Sequence, residues 1–288
     1  MDELYNRLEK LAEALPRFDA STLKIVAVIT MLIDHIGAGI LLYLIKGGFY
    51  PFGGDFDHNA EIYYWIRHVG RQAFPIYCFM LTQGLAHTRS VPKYLRNLAI
   101  FGIISEPFFD YAVKIKQDVF SLDLVAVFNA NREIILTKCN VFFTLLVGLI
   151  SIWMMKYVED MIFEEDPTSP FGVSAASPFH VLLYLAPLAA GCILTQVIQS
   201  DYRWWGVCLI GIFYVFRRSR KISCIIGYLF FMNMGGEAWS LPAFLLIMLY
   251  SGRPGTITRR FKYAFYAFYP LHLCLIYLVR CYMGKLMP

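Results

Sequence analysis

Apolar residues fall along this chain in long blocks divided by short polar connections, without the two-residue alternation of a half-buried sheet. From Thr22 onward nine runs appear, at about 22–45, 66–86, 94–113, 140–158, 179–199, 203–216, 222–234, 239–250 and 263–282. A helix crosses a hydrocarbon core of roughly 30 Å with about 20 mostly apolar residues. The pattern therefore predicts an all-α, polytopic transmembrane helical bundle of about nine spans. The sixth to eighth runs are short, because a dozen residues cover only about 18 Å of helix, so tilted or re-entrant segments also fit there. Ahead of the first run, Leu4, Leu8, Leu11 and Leu15 recur at helical spacing among acids and bases. Residues 1–21 are thus expected to form an amphipathic helix, lying in the membrane interface or packed on the protein's own loops. Residues 22–288 are expected to form a single transmembrane domain.

Composition agrees. Of 288 residues, 58% are hydrophobic and 16% charged, against about a quarter charged in soluble domains. The net charge of +5 sits in short connections beside apolar runs, which fits membrane topology and gives no basic face for nucleic acid. Arg89, Lys93 and Arg96 share one connection, Arg217, Arg218, Arg220 and Lys221 another, and Arg253, Arg259, Arg260 and Lys262 a third. Lys and Arg favour the cytoplasmic side of short loops, which predicts a cell-membrane protein with a cytoplasmic N-terminus and an external C-terminus. The bases at 114–138 and the acidic run from Glu159 to Asp166 run against this orientation, but acids weigh little in the rule. The seven cysteines lie mostly in apolar stretches, with no CxxC pair or Cys/His ligand spacing, so neither a disulfide framework nor a metal site is expected. Residues 1–20 carry acids, bases and a leucine stripe instead of an apolar core, unlike a cleavable signal peptide.

Ionisable groups inside spans each cost about 2.5 to 3.5 kcal/mol on insertion scales, so each asks for a partner or a purpose. Asp34 and His35 lie about 18 Å into the first span, Arg71 one turn beyond Arg67 in the second, Glu106 about 18 Å into the third, and His272 about 13 Å into the ninth. These depths are comparable, and a shared polar cavity would satisfy all of them. An Asp34–Arg71 pair could be only structural, and Arg67 equally a snorkelling anchor at a span end. His35 has the adjacent Asp34 as a ready group to set its tautomer and raise its basicity. Read this way the cavity fits acyl transfer, but Asp34, His35 and Glu106 would equally serve an ion-coupled transporter as a proton relay, and a non-catalytic scaffold is a further alternative.

Several stretches resemble the TraX family of membrane proteins, whose named member is a conjugative-plasmid pilin acetylase. They are LKIVAVITMLIDHIGA at 23–38, IRHVGRQAFPIYCFMLTQGLAHTRSVPKYLRNLAIFGIISEPFFD at 66–110, NVFFTLLVGL at 140–149, and YSGRPG and KYAFYAFYPLHLCLIYL at 250–255 and 262–278. Gln83 departs from the acid that many relatives carry in this phrase. The family in turn resembles a larger superfamily of integral-membrane acyltransferases, marked by a base and a histidine eleven residues apart in the first span, as Lys24 and His35 are. Arg67 with Arg71, and FYPLHL, resemble that superfamily's paired arginines and late aromatic-His phrase.

The resemblance implies acetyl-CoA as acyl donor and an N- or O-acetyltransferase. His35 would be general base or acyl carrier, Asp34 would orient it, Arg71 would stabilise the oxyanion, and Glu106 and His272 are further catalytic candidates. The phosphate-rich donor calls for a basic cytoplasmic surface, for which His87, Arg89, Lys93 and Arg96 are the candidates. Arg67, Asn140 and Tyr269 are candidates for binding the acceptor, an amine or hydroxyl on a pilin terminus, surface polymer, lipid or small molecule.

Overall fold

The first apolar run folds as one long helix, α1 (Ala20–Lys46). Its start is fixed by Asp19, whose side chain accepts the Thr22 N–H at 2.8 Å. That bond holds the half-buried Asp19 carboxyl below its ordinary range, as expected for a carboxylate at a helix N-terminus. Midway, Gly37–Leu41 widens into a π turn, a device common at functional sites. The computed structural model describes residues 18–162, 177–256 and 262–287. Residues 1–17 of the expected amphipathic helix, the acids at 164–166, and Arg259 and Arg260 lie outside them, and Ala20 and Ser21, expected in that helix, begin α1.

The second run, expected as one continuous helix over 66–86, is two: α2 (Phe56–Gly70) and α3 (Ala73–His87). Pro75 supplies the reason, since it has no N–H to bond the carbonyl of Arg71 and is tolerated only in a helix's first turn. Gln72, at the break, donates to Trp239 O at 2.6 Å and accepts from Ala243 N at 2.8 Å, tying the break to a distant segment. Arg71 caps the end of α2 with helical backbone, so it stays one turn beyond Arg67 on the same side of the helix. Next comes α4 (Val91–Phe109), capped by Ser90 and extended by a second π segment, Asp110–Lys114. The connection expected over 114–138 contains a helix, α5 (Leu124–Thr137).

The remaining runs match helices closely: α6 (Val141–Ile162), α7 (Pro178–Val197), α8 (Arg203–Val215), α9 (Arg220–Phe231), a 3₁₀ turn at Glu237–Ser240, α10 (Leu241–Met248) and α11 (Lys262–Leu286). The described residues contain no strand, only two isolated bridges. The protein is an all-helical membrane protein. Length and apolarity single out four helices able to cross a bilayer, Ala20–Lys46, Val141–Ile162, Pro178–Val197 and Tyr263–Leu286.

The core gathers Leu23 and Ala27 of α1, Ile76 and Phe79 of α3, Leu149 and Ile152 of α6, Phe213 of α8 and Leu273 of α11. By contrast α7 turns Leu182, Ile193 and Val197 outward, a face that suits lipid. The start of α1 is clamped by the segment after α10: Ala20 N donates to Arg253 O at 2.9 Å, and Ser251 N to Phe18 O at 2.7 Å. Arg220 donates to Tyr250 O, so these basic segments collect at the end of the bundle where α1 begins.

Candidate functional site

His35 and His272 meet directly. Two helices 237 residues apart in sequence bring His35 Nδ1 to 2.7 Å from His272 Nε2. The rings lie 17° from coplanar with centroids 5.0 Å apart, the arrangement of an in-plane N–H···N bond. His272 Nδ1 stands 2.7 Å from Phe268 O. A carbonyl only accepts, so Nδ1 of His272 carries hydrogen, and in the neutral ring its Nε2 is then the acceptor. His35 Nδ1 must be the donor, which leaves His35 Nε2 with a free lone pair. The bonding pattern assigns these tautomers. Both side chains are buried, and Phe109 and Tyr269 set their ring edges or faces against His35 at 6.5 and 5.7 Å. Tyr269 is itself buried, and its hydroxyl has no partner among the described residues.

The orienting group was expected to be Asp34, and here the structure differs. Adjacent helical residues point about 100° apart, so Asp34 faces α2 while His35 faces α11. Asp34 Oδ2 lies 2.5 Å from Arg67 Nη1. Arg71, the partner considered for Asp34, instead reaches Glu237 Oε1 at 2.8 Å. Glu237 is wholly buried and was missed in the sequence; its one signal was a lone carboxylate in GGEAW between two short apolar runs.

Arg67 and Arg71 line a cleft of ≈ 350 Å³ with Tyr63, Tyr64, His68 and Gly236. Both arginine side chains remain about a fifth exposed, so the cleft leaves them reachable by a ligand while each stays paired with its carboxylate. Asp34 Oδ1 and Glu237 Oε2 are buried and have no hydrogen-bond donor among the described residues, so each carboxylate keeps an acceptor in reserve. His68, not singled out in the sequence, stacks on Trp239 at 4.4 Å and closes one wall.

Glu106 is not brought to the histidines. Its Oε1 accepts from Lys114 Nζ at 3.0 Å and its Oε2 from Asn140 N at 2.9 Å, and Lys114 also pairs with Asp110. Asn140, a candidate for substrate binding, is completely buried. Its Nδ2 donates to Gly102 O and its Oδ1 accepts from Phe142 N, both at 2.9 Å. It joins α4 to the start of α6, which corrects its expected place in a substrate pocket. The single shared cavity is thus several paired sites. His87, Arg89, Lys93 and Arg96 all stay exposed, from the end of α3 to the first turns of α4. Lys24 lies eleven residues before His35, three turns and about 20° of rotation, hence on nearly the same face about 16 Å away.

The sequence profile described as TraX protein matches residues 19–280, from the cap of α1 almost to the end of α11. The chain belongs to the TraX family. The match takes in the histidine pair, the arginine cleft and the basic α3–α4 connection of this TraX protein. The chain is also similar to the "Probable fimbrial assembly protein FimC, serogroup H1" of Dichelobacter nodosus, 26% identical over 282 residues that cover 90% of this chain and 94% of that one. No solved structure matches.

Proposed function

We propose that this TraX-family protein is a membrane-embedded acyltransferase that moves an acetyl group from acetyl-CoA to an amine or hydroxyl acceptor. The observation that carries the reading is the chain Phe268 O, His272, His35, which leaves His35 Nε2 unprotonated inside an apolar bundle. Such a nitrogen is a general base. As the acceptor's N or O attacks the thioester carbonyl, Nε2 takes its proton, Arg71 or Arg67 stabilises the oxyanion, and the C–S bond then breaks. The imidazolium returns the proton to the departing CoA thiolate, so the protein ends unchanged. In a variant route Nε2 attacks the thioester first, the C–S bond breaks with CoA leaving as its thiolate, and the acetyl-imidazolium then passes the acetyl group to the acceptor, whose proton goes to the thiolate. Family membership supports the reaction class, and the fimbrial role in the relative's name keeps a pilin terminus among the acceptors, beside a surface polymer, lipid or small molecule.

Topology fits this scheme with the N-terminus in the cytoplasm, which places the basic end of the bundle inside and the C-terminus outside. Arg89 and Arg96, with His87 and Lys93, would then meet the CoA phosphates. Arg217 is a poorer candidate because it is already paired with Glu159. The arginine cleft would face outward toward the acceptor.

The test incubates purified protein with labelled acetyl-CoA and membrane extract, measures CoA release and identifies the labelled product by mass spectrometry. The wild type should release CoA and label one acceptor. If no CoA is released, while vesicles accumulate a substrate chemically unchanged, the acyl-transfer reading fails and ion-coupled transport takes its place.

A further inference from the structure

Arg280 is the most deeply buried cation in the described residues, with no exposed surface, and no carboxylate pairs with it there. Leaving an unpaired guanidinium in a membrane protein's interior is costly, so the structure must use it. Its Nη1 donates to Gly39 O at 3.1 Å and Ala112 O at 3.0 Å, and its Nη2 to Tyr111 O at 2.6 Å. Its guanidinium carbon stands 4.4 Å from the ring centre of Tyr43 and 5.1 Å from that of Tyr277. Aromatic faces stabilise a desolvated cation without neutralising it.

The three carbonyls share one property. Gly39 belongs to the π turn of α1, and Tyr111 and Ala112 belong to the π segment that follows α4. A π turn widens the ladder and leaves a carbonyl without its usual helical donor. Arg280 supplies donors to both at once from α11, so three elements are fastened at one point. At that point a Cβ on Gly39 would stand 2.9 Å from Ala112 O and 2.6 Å from Ile276, so the backbones approach as only glycine allows.

The fastening lies one turn beyond His35 on α1, and two turns beyond His272 on α11. We propose that Arg280 is a positioning residue: by tying both π segments to α11 it sets the register in which His35 Nδ1 meets His272 Nε2. Lys cannot replace it, because a single ammonium does not span three carbonyls in the planar fork of a guanidinium. The expected effect on turnover rests on the acyl-transfer reading, whereas the histidine geometry does not.

The experiment records ¹⁵N spectra of histidine-labelled protein in detergent, with His35 and His272 assigned by single substitutions, alongside donor kinetics. In the wild type both rings should hold the fixed Nδ1–H tautomer. Arg280→Lys should let both rings average between tautomers and lower kcat about 100-fold, the loss that a misplacement near 1 Å brings, with donor KM unchanged. Gly39→Ala, which keeps the charge and pushes the same joint apart, should act in the same direction and decides the matter if Arg280→Lys does not fold. Arg217→Lys, which loosens the remote Glu159 pair, serves as control. Wild-type histidine spectra in a folded Arg280→Lys or Gly39→Ala protein would overturn the proposal, as would an equal shift in Arg217→Lys. Full turnover in His35→Ala would instead remove the acyl-transfer reading and leave the spectra to judge Arg280.

Discussion

At the scale of single residues, the free lone pair of His35 and its hydrogen bond to His272 make separable contributions. His35→Ala removes the base, and turnover should fall by about 10² to 10⁴ in a protein that still inserts and elutes as a folded species. His272→Ala leaves the base but releases its tautomer, so its loss should be smaller, with an altered pH profile of kcat. Measuring CoA release beside size-exclusion profiles decides between them, and a folded His35→Ala protein with wild-type turnover would sink the mechanism. Asp34→Asn belongs to a different class. It leaves the buried side of Arg67 without its counter-charge, and breaking a partly buried pair is destabilising by up to several kcal/mol. Its defect should therefore appear as a lowered melting temperature as well as lost activity.

At the scale of elements, the cleft depends on how closely α1 and α2 approach. Gly70 allows this approach, because a Cβ there would fall on the Asp34 carboxylate. Gly70→Ala would improve an isolated helix by about 1 kcal/mol; here it should destabilise the protein and disturb the Asp34–Arg67 pair, which a thermal melt in detergent would register as a drop. A rise in melting temperature would mean that the two helices part without loss. The start of α1 gives a pH prediction. The Asp19 carboxyl is held below its ordinary value by the Thr22 N–H, so its folded pKa lies under its unfolded one. Its stabilising charge is then fully present above the unfolded value and is lost as pH falls through the folded value. Asn at this position caps without titrating. The difference in melting temperature between wild type and Asp19→Asn should hold steady at neutral pH and shrink in strong acid.

At the scale of the whole molecule, the basic connections should mark the cytoplasmic face. In a cysteine-free background that still folds, a cysteine at position 219 should react with membrane-impermeant reagents in inverted vesicles and stay silent in intact cells. Labelling from outside would reverse the orientation and move the donor surface. Arg89→Ala and Arg96→Ala should raise the donor KM more than they lower kcat, because they remove binding common to ground and transition states. An unchanged KM in both would leave those bases as determinants of topology alone.

The sequence by itself determined the helical class, the positions of most helices and the candidacy of His35 and His272, because apolar length and the cost of intramembrane charge are local properties of a chain. Runs at 203–216, 222–234 and 239–250 lie almost where α8, α9 and α10 form, for that reason. Pairing is not local. Which carboxylate meets which arginine depended on the placement of Glu237, 166 residues from Arg71. Which group orients His35 depended on the 100° turn between neighbours on a helix, which hands Asp34 to α2 and His35 to α11. Only the tertiary structure could show that Arg280, one more base near the end of the last apolar run, lies at the joint of two π segments, since π turns leave no mark in hydrophobic periodicity.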